Sequence, residues 1–343
     1  MDLRKLGLAA AAFTLSLGGG ATADSGSFGH WAVVCDNVQV CTAMGFGELG
    51  EMGSSALLKL RRETGPGAEP TISVITAGTA AATLRLAVDG ASPSGLAAVP
   101  ATPMAEDPER RVTELTPAQT RALLAVLVNG RTLTLMEGQN PAATISLAGS
   151  SAAMRFMDDR QKRAGTVTAL VARGARPASA VPAPSQPPAI KAAPAVSQAR
   201  LPTTPSPAMQ AQLRDCDDDI ADLGFAPEVA RLGQGRLFWG VVCSRGAYNV
   251  IYRLFLTDER GGDVRPLELS YPSDETTSEL MNISFDPKTQ TLMNFDKGRG
   301  LGDCGAITEW IWTGEAFAVA HQVLMPECQG VMSDDWPVSY RSR

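Results

Sequence analysis

Residues 295–305 read Phe295-Asp-Lys-Gly-Arg-Gly-Leu-Gly-Asp-Cys-Gly305 and lie between two runs typical of β-strands. The four glycines permit positive φ angles and close backbone approach, while the four charged side chains exclude the segment from a core. Cys304 can anchor the segment through a disulfide. We therefore predict either a rigid turn with paired charges or the rim of a binding site.

The sequence around this segment predicts successive antiparallel hairpins. Its apolar runs are rich in β-branched and aromatic residues, as half-buried strands are. They cover Arg236–Cys243, Tyr248–Leu256, Met281–Phe285, Thr291–Phe295, Ile307–Trp312 and Ala316–Leu324. Turn-forming residues separate several of these runs, at Asp286-Pro-Lys-Thr289 and at Thr313-Gly-Glu315, and each favours a hairpin.

The first half of the chain combines strands with helices. We predict a hairpin over Trp31–Phe46, because strand-like runs flank the turn-forming pair Asp36-Asn37. Thr116-Pro-Ala-Gln119 is a capping box followed by leucines at helical spacing, which predicts a helix over Thr116–Val128. The remaining predicted elements are strands at Ala56–Arg62, Thr71–Thr76, Thr83–Val88, Thr132–Met136 and Ala143–Leu147, and a helix at Ser151–Lys162. At the end of that second helix we expect Asp158 and Asp159 to be solvated.

A proline-rich segment separates the two halves. Residues 175–208 contain nine prolines and no aromatic residue, a composition that buries too little apolar surface to offset the entropy of ordering. We predict a disordered Pro/Ala-rich linker able to separate two domains by up to roughly 100 Å. The predicted fold class is mainly β with two or three helices in the N-terminal block (α+β), arranged as antiparallel β-rich domains at residues 24–174 and 209–343.

Six cysteines set the covalent framework. An even number in an exported chain favours three disulfides, although six cysteines allow 15 pairings. Proximity in the sequence favours the pairs Cys35–Cys41, Cys216–Cys243 and Cys304–Cys328. Without a C-x-x-C pair the chain shows no zinc-site pattern, and the acidic run at residues 215–219 lacks the spacing of an EF-hand. We predict neither a metal nor a cofactor.

The N-terminus has the pattern of a secretory signal peptide. Basic Arg4 and Lys5 precede an apolar run and the small-residue site Ala21-Thr-Ala23, which predicts cleavage near Ala23. No later apolar run is long enough to cross a membrane, so we expect a soluble protein that is periplasmic or secreted. The mature chain would carry 28 basic and 35 acidic side chains, a formal charge of −7. That charge argues against a nucleic acid or an anionic membrane as partner.

Several long motifs carry a family resemblance and span both halves outside the linker. They are Trp31–Cys41, Met157–Leu170, Cys243–Arg253 and Asp296–Gly305, with Trp310, Trp312 and Cys328 after them. In these motifs the chain resembles the exported bacterial proteins grouped as domain of unknown function 1176, which implies an envelope protein and brings no activity with it. The Trp-x-x-x-Cys opening is also similar to the invasion-associated locus B proteins, which are small exported β-sandwiches. The Gly-Asp-Cys-Gly, Trp and Gly-x-x-Phe pattern near the end is similar to periplasmic lysozyme inhibitors.

Two polar loops, each beside a cysteine, form the candidate binding site. Loops held on rigid strands commonly carry binding groups, so we expect these two to converge on one ligand or partner. The candidate residues are Arg245, Tyr248, Asn249, Lys297, Arg299 and Asp303.

The sequence shows no catalytic motif beside these loops. A G-x-S-x-G elbow or S-x-x-K pattern in a plausible context is missing, and His30 and His321 have no triad partners at a recognisable spacing. We therefore predict a non-enzymatic binding module of the envelope, whose partner is a protein or a cell-wall component. Two alternatives stay open: a periplasmic inhibitor or immunity-type protein against a lysozyme-like enzyme, and a hydrolase with an unrecognised site. The oligomeric state is left undetermined.

Overall fold

The computed structural model describes residues 24–50, 53–78, 81–217, 220 and 224–343. The predicted signal peptide at residues 1–23 lies outside the described residues, as does part of the acidic run, Asp218 and Asp219. Across the described ranges, no helix is long and apolar enough to cross a membrane.

The first block, residues 24–174, contains two helices and a series of short strands. In chain order its described elements are β1 (Asp24–Phe28), β2 (Trp31–Cys35), β3 (Cys41–Phe46), β4 (Leu49–Gly50), β5 (Gly53–Ser54), β6 (Ala56–Arg62), β7 (Pro70–Ala77), β8 (Thr83–Val88), β9 (Val99–Pro100), β10 (Thr102–Pro103), β11 (Arg110–Glu114), α1 (Pro117–Leu127), β12 (Thr132–Glu137), β13 (Asn140–Ser146) and α2 (Ser150–Arg160). Sheet 1 has the spatial order β1-β2-β3-β6-β7-β11-β10, and sheet 2 has the order β13-β12-β8-β9. A small additional hairpin joins β4 and β5.

The second block, residues 175–343, is built from antiparallel strands. Its described elements are a 3-10 turn (Ala178–Ala180), α3 (Pro207–Gln210), β14 (Glu228–Gly233), β15 (Arg236–Arg245), β16 (Val250–Asp258), β17 (Arg265–Pro266), β18 (Leu269–Ser270), β19 (Thr276–Thr277), β20 (Glu279–Met281), β21 (Ser284–Asp286), β22 (Thr291–Lys297), β23 (Gly305–Trp312), β24 (Phe317–Met325), a 3-10 turn (Ser333–Asp335) and β25 (Val338–Arg341). Sheet 3 has the order β14-β15-β16-β17, with β20 also on β16, and sheet 4 runs β21-β22-β23-β24-β25. The predicted fold class, mainly β with antiparallel sheets and helices in the first block, is confirmed.

Local sequence signals at the first hairpin and the first helix are confirmed. Strands β2 and β3 pair so that Cys35 lies opposite Cys41, and the two cysteines form a disulfide. Helix α1 begins after Thr116, whose hydroxyl accepts a hydrogen bond from the backbone N–H of Gln119. The Gln119 side chain in turn accepts one from the Thr116 N–H at 2.9 Å, which completes the capping box.

The run Met281–Phe285 is not the single strand that its alternation predicts. Strand β20 ends at Met281 and β21 begins at Ser284, because Asn282 between them adopts a φ of 48°. Asparagine tolerates this left-handed conformation better than most residues. Its side-chain amide donates hydrogen bonds to the Phe295 carbonyl and to Oδ1 of Asn249, each at 2.9 Å.

Asp158 is buried, and the prediction that it is solvated is wrong. Its Oδ1 accepts a hydrogen bond from the N–H of Leu170 at 2.7 Å. Its Oδ2 accepts from Val171 at 2.9 Å and from Ala172 at 3.1 Å. The carboxylate therefore holds the loop that follows α2, whereas Asp159 is exposed as expected.

Sheet 1 is buried on both faces. Along β2, Trp31 and Val33 pack into the core that sheet 1 shares with sheet 2 and the helices. Ala32 and Val34 point the other way, as alternation along a strand requires. This second face forms one buried cluster with the second block, made of Ala32, Val34, Met44, Phe46, Leu57 and Ile75 with Cys304, Met325, Val331 and Trp336. We name this contact the central interface.

Polar contacts at the rim of the central interface tie the first hairpin to β25. Nε of Arg341 lies 2.5 Å from Oδ2 of Asp36. Asn37 exchanges two hydrogen bonds with the Arg341 backbone, at 3.0 and 2.9 Å. Burial raises the pKa of Asp36, and the charge of Arg341 opposes that rise. Nearby, Asp335 forms ion pairs with Arg110 and Lys59.

The central interface brings the two blocks into contact, although the predicted linker is long enough to separate them. Residues 175–208 are largely extended, but the N–H of Ala193 donates to the Trp312 carbonyl at 2.8 Å. Ile190 and Pro188 make backbone hydrogen bonds to Arg343, each at 2.9 Å. The reach of up to roughly 100 Å that the linker allows is therefore not used to hold the blocks apart, while the division of the chain into two folding domains stays a prediction.

Candidate functional site

The two candidate loops meet at Tyr248 and Gly300. Tyr248 lies in the connection between β15 and β16, and Gly300 lies in the connection between β22 and β23. A β-carbon at Gly300 would lie 2.5 Å from Cδ2 of Tyr248, so the tyrosine ring packs directly over the glycine backbone. Any larger residue at position 300 would displace the ring. This direct contact supports the sequence prediction that the two loops share one surface.

Arg299 and Asp303 form an internal brace within the glycine-rich loop. Nε of Arg299 donates to Oδ1 of Asp303 at 2.6 Å, and Nη2 donates to Oδ2. Asp303 also accepts from the N–H of Gly330 at 2.6 Å, and Nη2 of Arg299 contacts the Cys328 carbonyl at 3.3 Å. Bidentate pairs of this kind fix geometry as well as charge. Asp303 is therefore not available to a ligand, since its carboxylate is already bonded.

A disulfide closes the base of the same loop. Cys304 is bonded to Cys328, and Cys216 to Cys243, so with Cys35–Cys41 the three pairs are those that sequence proximity favours. A β-carbon at Gly298 would lie 2.8 Å from Sγ of Cys304, which explains the glycine there. Asp303, Cys304 and Cys328 cluster closely enough to suggest a metal site. Both sulfurs are consumed in the disulfide, so this cluster is no metal ligand set.

The other candidate residues support the loops from the side. Asn249 accepts a hydrogen bond from Asn282, whose amide also reaches the Phe295 carbonyl, and this links both loops to β22. Nζ of Lys297 lies 5.2 Å from the centroid of the Phe295 ring. Arg245 ends β15 with an exposed side chain. Most of the predicted binding residues thus shape the loops rather than projecting from them.

Two large apolar side chains also project from the loops. Tyr248 is 68% exposed and Leu301 is 61% exposed, and Leu301 directly follows the glycine under the Tyr248 ring. Neighbouring exposed apolar side chains can mark an interaction surface, whereas a single exposed leucine needs no explanation. Leu301 is not among the residues that the sequence predicted for binding, although its flanking glycines, Gly300 and Gly302, place it in a loop.

A second feature missed from the sequence lies beside the glycine-rich loop. Tyr271 and Asp296 line a cleft of about 390 Å³. Oη of Tyr271 donates to Oδ2 of Asp296 at 3.1 Å and accepts from the Asn294 amide at 3.2 Å. Burial raises the pKa of Asp296 and the pKa of Tyr271. The pair can hydrogen-bond a polar ligand, but residues 271 and 296 are too far apart in sequence for any local pattern to link them.

Comparison with known protein families identifies the family of this chain. A model of proteins of unknown function, DUF1176, matches residues 25–343. The chain belongs to this family. The match covers both blocks and the segment between them, so the central interface and the glycine-rich loop are parts of one DUF1176 unit.

Two further comparisons place the chain among known proteins. It is 29% identical over 341 residues to the uncharacterized protein YpfG of Escherichia coli (strain K12), and the alignment covers 92% of each chain. The crystal structure of invasion associated protein B from Bartonella henselae is similar at 17% identity with a TM-score of 0.30. That likeness covers 40% of this chain and 98% of the other.

We predict that Asp303 contributes stability that acid removes. The hydrogen bonds from Arg299 and from the Gly330 N–H lower the pKa of Asp303 below its ordinary value of 3.8. Stability from a carboxyl with a lowered pKa is present above the unfolded-state pKa and is lost as the pH falls toward the folded-state pKa. Asp303→Asn should therefore be less stable than the wild type at neutral pH by about 1 to 3 kcal/mol.

The difference between the two proteins should shrink as the pH falls below about 4, because the wild-type carboxyl then loses its advantage. Urea unfolding at a series of pH values measures it. Asp334→Asn is the matched control, since Asp334 is an exposed acid near the same region. A difference that stays constant from neutral to acidic pH would show that the ion pair is not its cause.

Proposed function

We propose that this DUF1176 protein is an exported, non-enzymatic binding protein of the bacterial envelope and that it binds a protein partner. The contact surface is the pair of loops at residues 245–249 and 297–303, which we name the braced tip. The observation that carries the proposal is the exposed Tyr248 ring packed on Gly300, next to exposed Leu301.

The braced tip has the properties of a protein-binding hot spot. Tyrosine is enriched among residues that dominate binding energy, because its ring offers a large contact area with few rotatable bonds. The Cys304–Cys328 disulfide and the Arg299–Asp303 pair hold the loop in one shape. A surface ordered before binding loses little conformational entropy when the partner arrives.

Export and location in the envelope are supported by three disulfides among the described residues. Disulfides persist in oxidising compartments such as the bacterial periplasm and are rare in the cytosol. The signal-peptide pattern at residues 1–23 supports the same location.

The test compares capture of partners from envelope extract by the full chain and by tip variants. Tyr248→Ala and Leu301→Ala should each weaken binding of the captured protein about tenfold or more, as loss of a hot-spot side chain does. Gln139→Ala is the control, because Gln139 is an exposed residue in the turn between β12 and β13. Equal binding by all four proteins would remove the proposal, and binding of glycan alone would assign the tip to the cell wall instead.

The same rigid tip supports a second candidate, an inhibitor of a wall-degrading enzyme. Leu301 projects from a loop that a disulfide and an ion pair hold in place, and preformed loops of this kind bind enzymes with little change in shape. A lysozyme activity assay separates the candidates. Inhibition that Leu301→Ala abolishes would favour the inhibitor, whereas undiminished lysozyme activity at saturating protein would exclude it for that enzyme.

A further inference from the structure

A cavity lies in the first block, and none of its lining residues belongs to the braced tip. It has a volume of about 510 Å³ and lies between α1, the loop at residues 66–70 and the loop at residues 167–173. Pockets of this size accommodate small organic ligands. Four of its lining residues, at positions 167–170, belong to the sequence motif Met157–Leu170.

Three arginines line this cavity: Arg62, Arg121 and Arg173. Among the described residues, none of the three forms an ion pair. One acidic residue, Glu69, lines the cavity with them. An excess of unpaired cationic groups in a chain of negative net charge is unexpected from composition. Such an excess of positive charge can attract an anionic ligand, although Asp158 and Glu69 already favour the charged form of Arg62.

Arg62 is the central member of this set, since its side chain is only 4% exposed. Its Nε donates to the Ala68 carbonyl at 3.1 Å, and its Nη1 donates to the Thr168 carbonyl at 2.8 Å. Among the described residues, none accepts a hydrogen bond from Nη2, so this donor is left for a ligand. Burial, together with the nearby charge of Arg163, lowers the pKa of Arg62 to about 10. A bound anion would relieve both effects.

Apolar side chains make up much of the remaining cavity wall, beside a few polar ones. Leu124 and Ala125 on α1 face the cavity from one side, and Val167 and Leu170 line it from the loop after α2. Val167 is 55% exposed, which leaves an apolar side chain in water at the cavity mouth. A ligand that pairs only with arginines would leave this wall uncovered.

We propose that this cavity binds an amphiphilic anion, with a carboxylate or phosphate group held by Arg62, Arg121 and Arg173 and an apolar chain lying against α1. Arginine suits both head groups, because its planar donors match two oxygens at once. The site is separate from the braced tip, so the proposal does not depend on the partner of that surface.

The test titrates the full chain with four probes in a calorimeter. Octanoate and octyl phosphate carry both features, octyl glucoside carries the chain without the charge, and inorganic phosphate carries the charge without the chain. Octanoate or octyl phosphate should bind at a single site about tenfold or more tightly than either of the last two, because only the anionic amphiphiles combine pairing with arginine and burial of an apolar chain. Equal affinity for octyl glucoside, or no saturable binding of either anionic amphiphile, would overturn the proposal.

Three variants and one control, Arg155→Glu, locate the site without changing the buried Arg62. Arg121→Glu and Arg173→Glu reverse exposed charges at the cavity rim, and each should weaken the anionic probe about tenfold or more. Arg155→Glu makes the same charge change on α2 outside the cavity and should leave affinity unchanged. Ala125→Phe fills the apolar side of the cavity from an exposed position, so it should abolish binding with little effect on folding. If all four variants bind the probe like the wild type, the anion is held elsewhere.

Discussion

Asp158→Ala is expected to lower the free energy of unfolding by about 3 to 5 kcal/mol. This is the usual cost of removing a buried charged group and leaving its partners without it. The carboxylate accepts hydrogen bonds from three consecutive backbone N–H groups, those of Leu170, Val171 and Ala172. Alanine would leave all three donors unpaired, and each unpaired buried donor costs about 1 to 3 kcal/mol. The variant also removes the negative charge that favours the charged forms of Arg62 and Arg163.

Urea unfolding of Asp158→Ala beside Asp159→Ala measures this effect. Asp159 is the neighbouring residue on the same helix and is exposed, so its removal should change stability by no more than about 0.5 kcal/mol. Because the loop that Asp158 holds also lines the arginine-rich cavity, the first variant should lose binding of anionic amphiphiles as well. Similar stability of the two variants would mean that the loop holds its shape without the carboxylate.

Trp336→Ala is expected to cost about 3 to 5 kcal/mol, the usual range for loss of a buried aromatic side chain. Trp336 belongs to the central interface, where its ring meets Phe295 edge-on at a centroid distance of 5.7 Å. Its Nε1 also donates to the Val331 carbonyl at 2.8 Å. Truncation would leave a cavity between the two blocks and an unpaired carbonyl beside it.

The informative measurement is the shape of the unfolding curve as well as its midpoint. With the central interface intact, both blocks should unfold in one transition, whereas Trp336→Ala should separate the transitions or shift both to lower denaturant. Met332→Ala is the control, since Met332 is an exposed apolar residue four positions earlier. A loss confined to the second block would show that the central interface does not couple the two.

Sequence patterns predicted the parts of the fold that depend on neighbouring residues. The first hairpin follows from the turn at Asp36-Asn37, and α1 follows from the capping box at Thr116, because both signals act over a few residues. The disulfide pairs follow from proximity for the same reason. Each of these predictions is confirmed by the structure.

The central interface joins residues that are far apart in the sequence. The proline-rich segment between them led to the prediction of two separate domains. A signal was present in Trp31-Ala-Val-Val-Cys35, which has no polar residue, because continuous apolar runs are typical of strands buried on both faces. Asp158 shows the same limit at a smaller scale. Nothing near it in the sequence indicates that three backbone N–H groups, 12 to 14 positions later, converge on its carboxylate.

The candidate site was predicted in position more than in chemistry. Glycine spacing and Cys304 indicated a fixed loop at residues 297–303, and Tyr248 does lie on it. Two of the charged residues that the sequence predicted for binding, Arg299 and Asp303, form an ion pair with each other. Local sequence does not reveal whether a charge faces a partner within the fold or solvent, so the arginines of the cavity were passed over while the paired ones were selected.

Pairing of the first hairpin with residues near Arg341 has a consequence for synthesis. The ribosome makes β2 and β3 roughly 300 residues before the strand that bonds to their turn, at a rate of about 5 to 20 residues per second. Through much of that interval one apolar face of sheet 1 lacks the residues that cover it, which lie between Cys304 and Trp336. A helper that shields this face from aggregation would be needed only until those residues are made and folded.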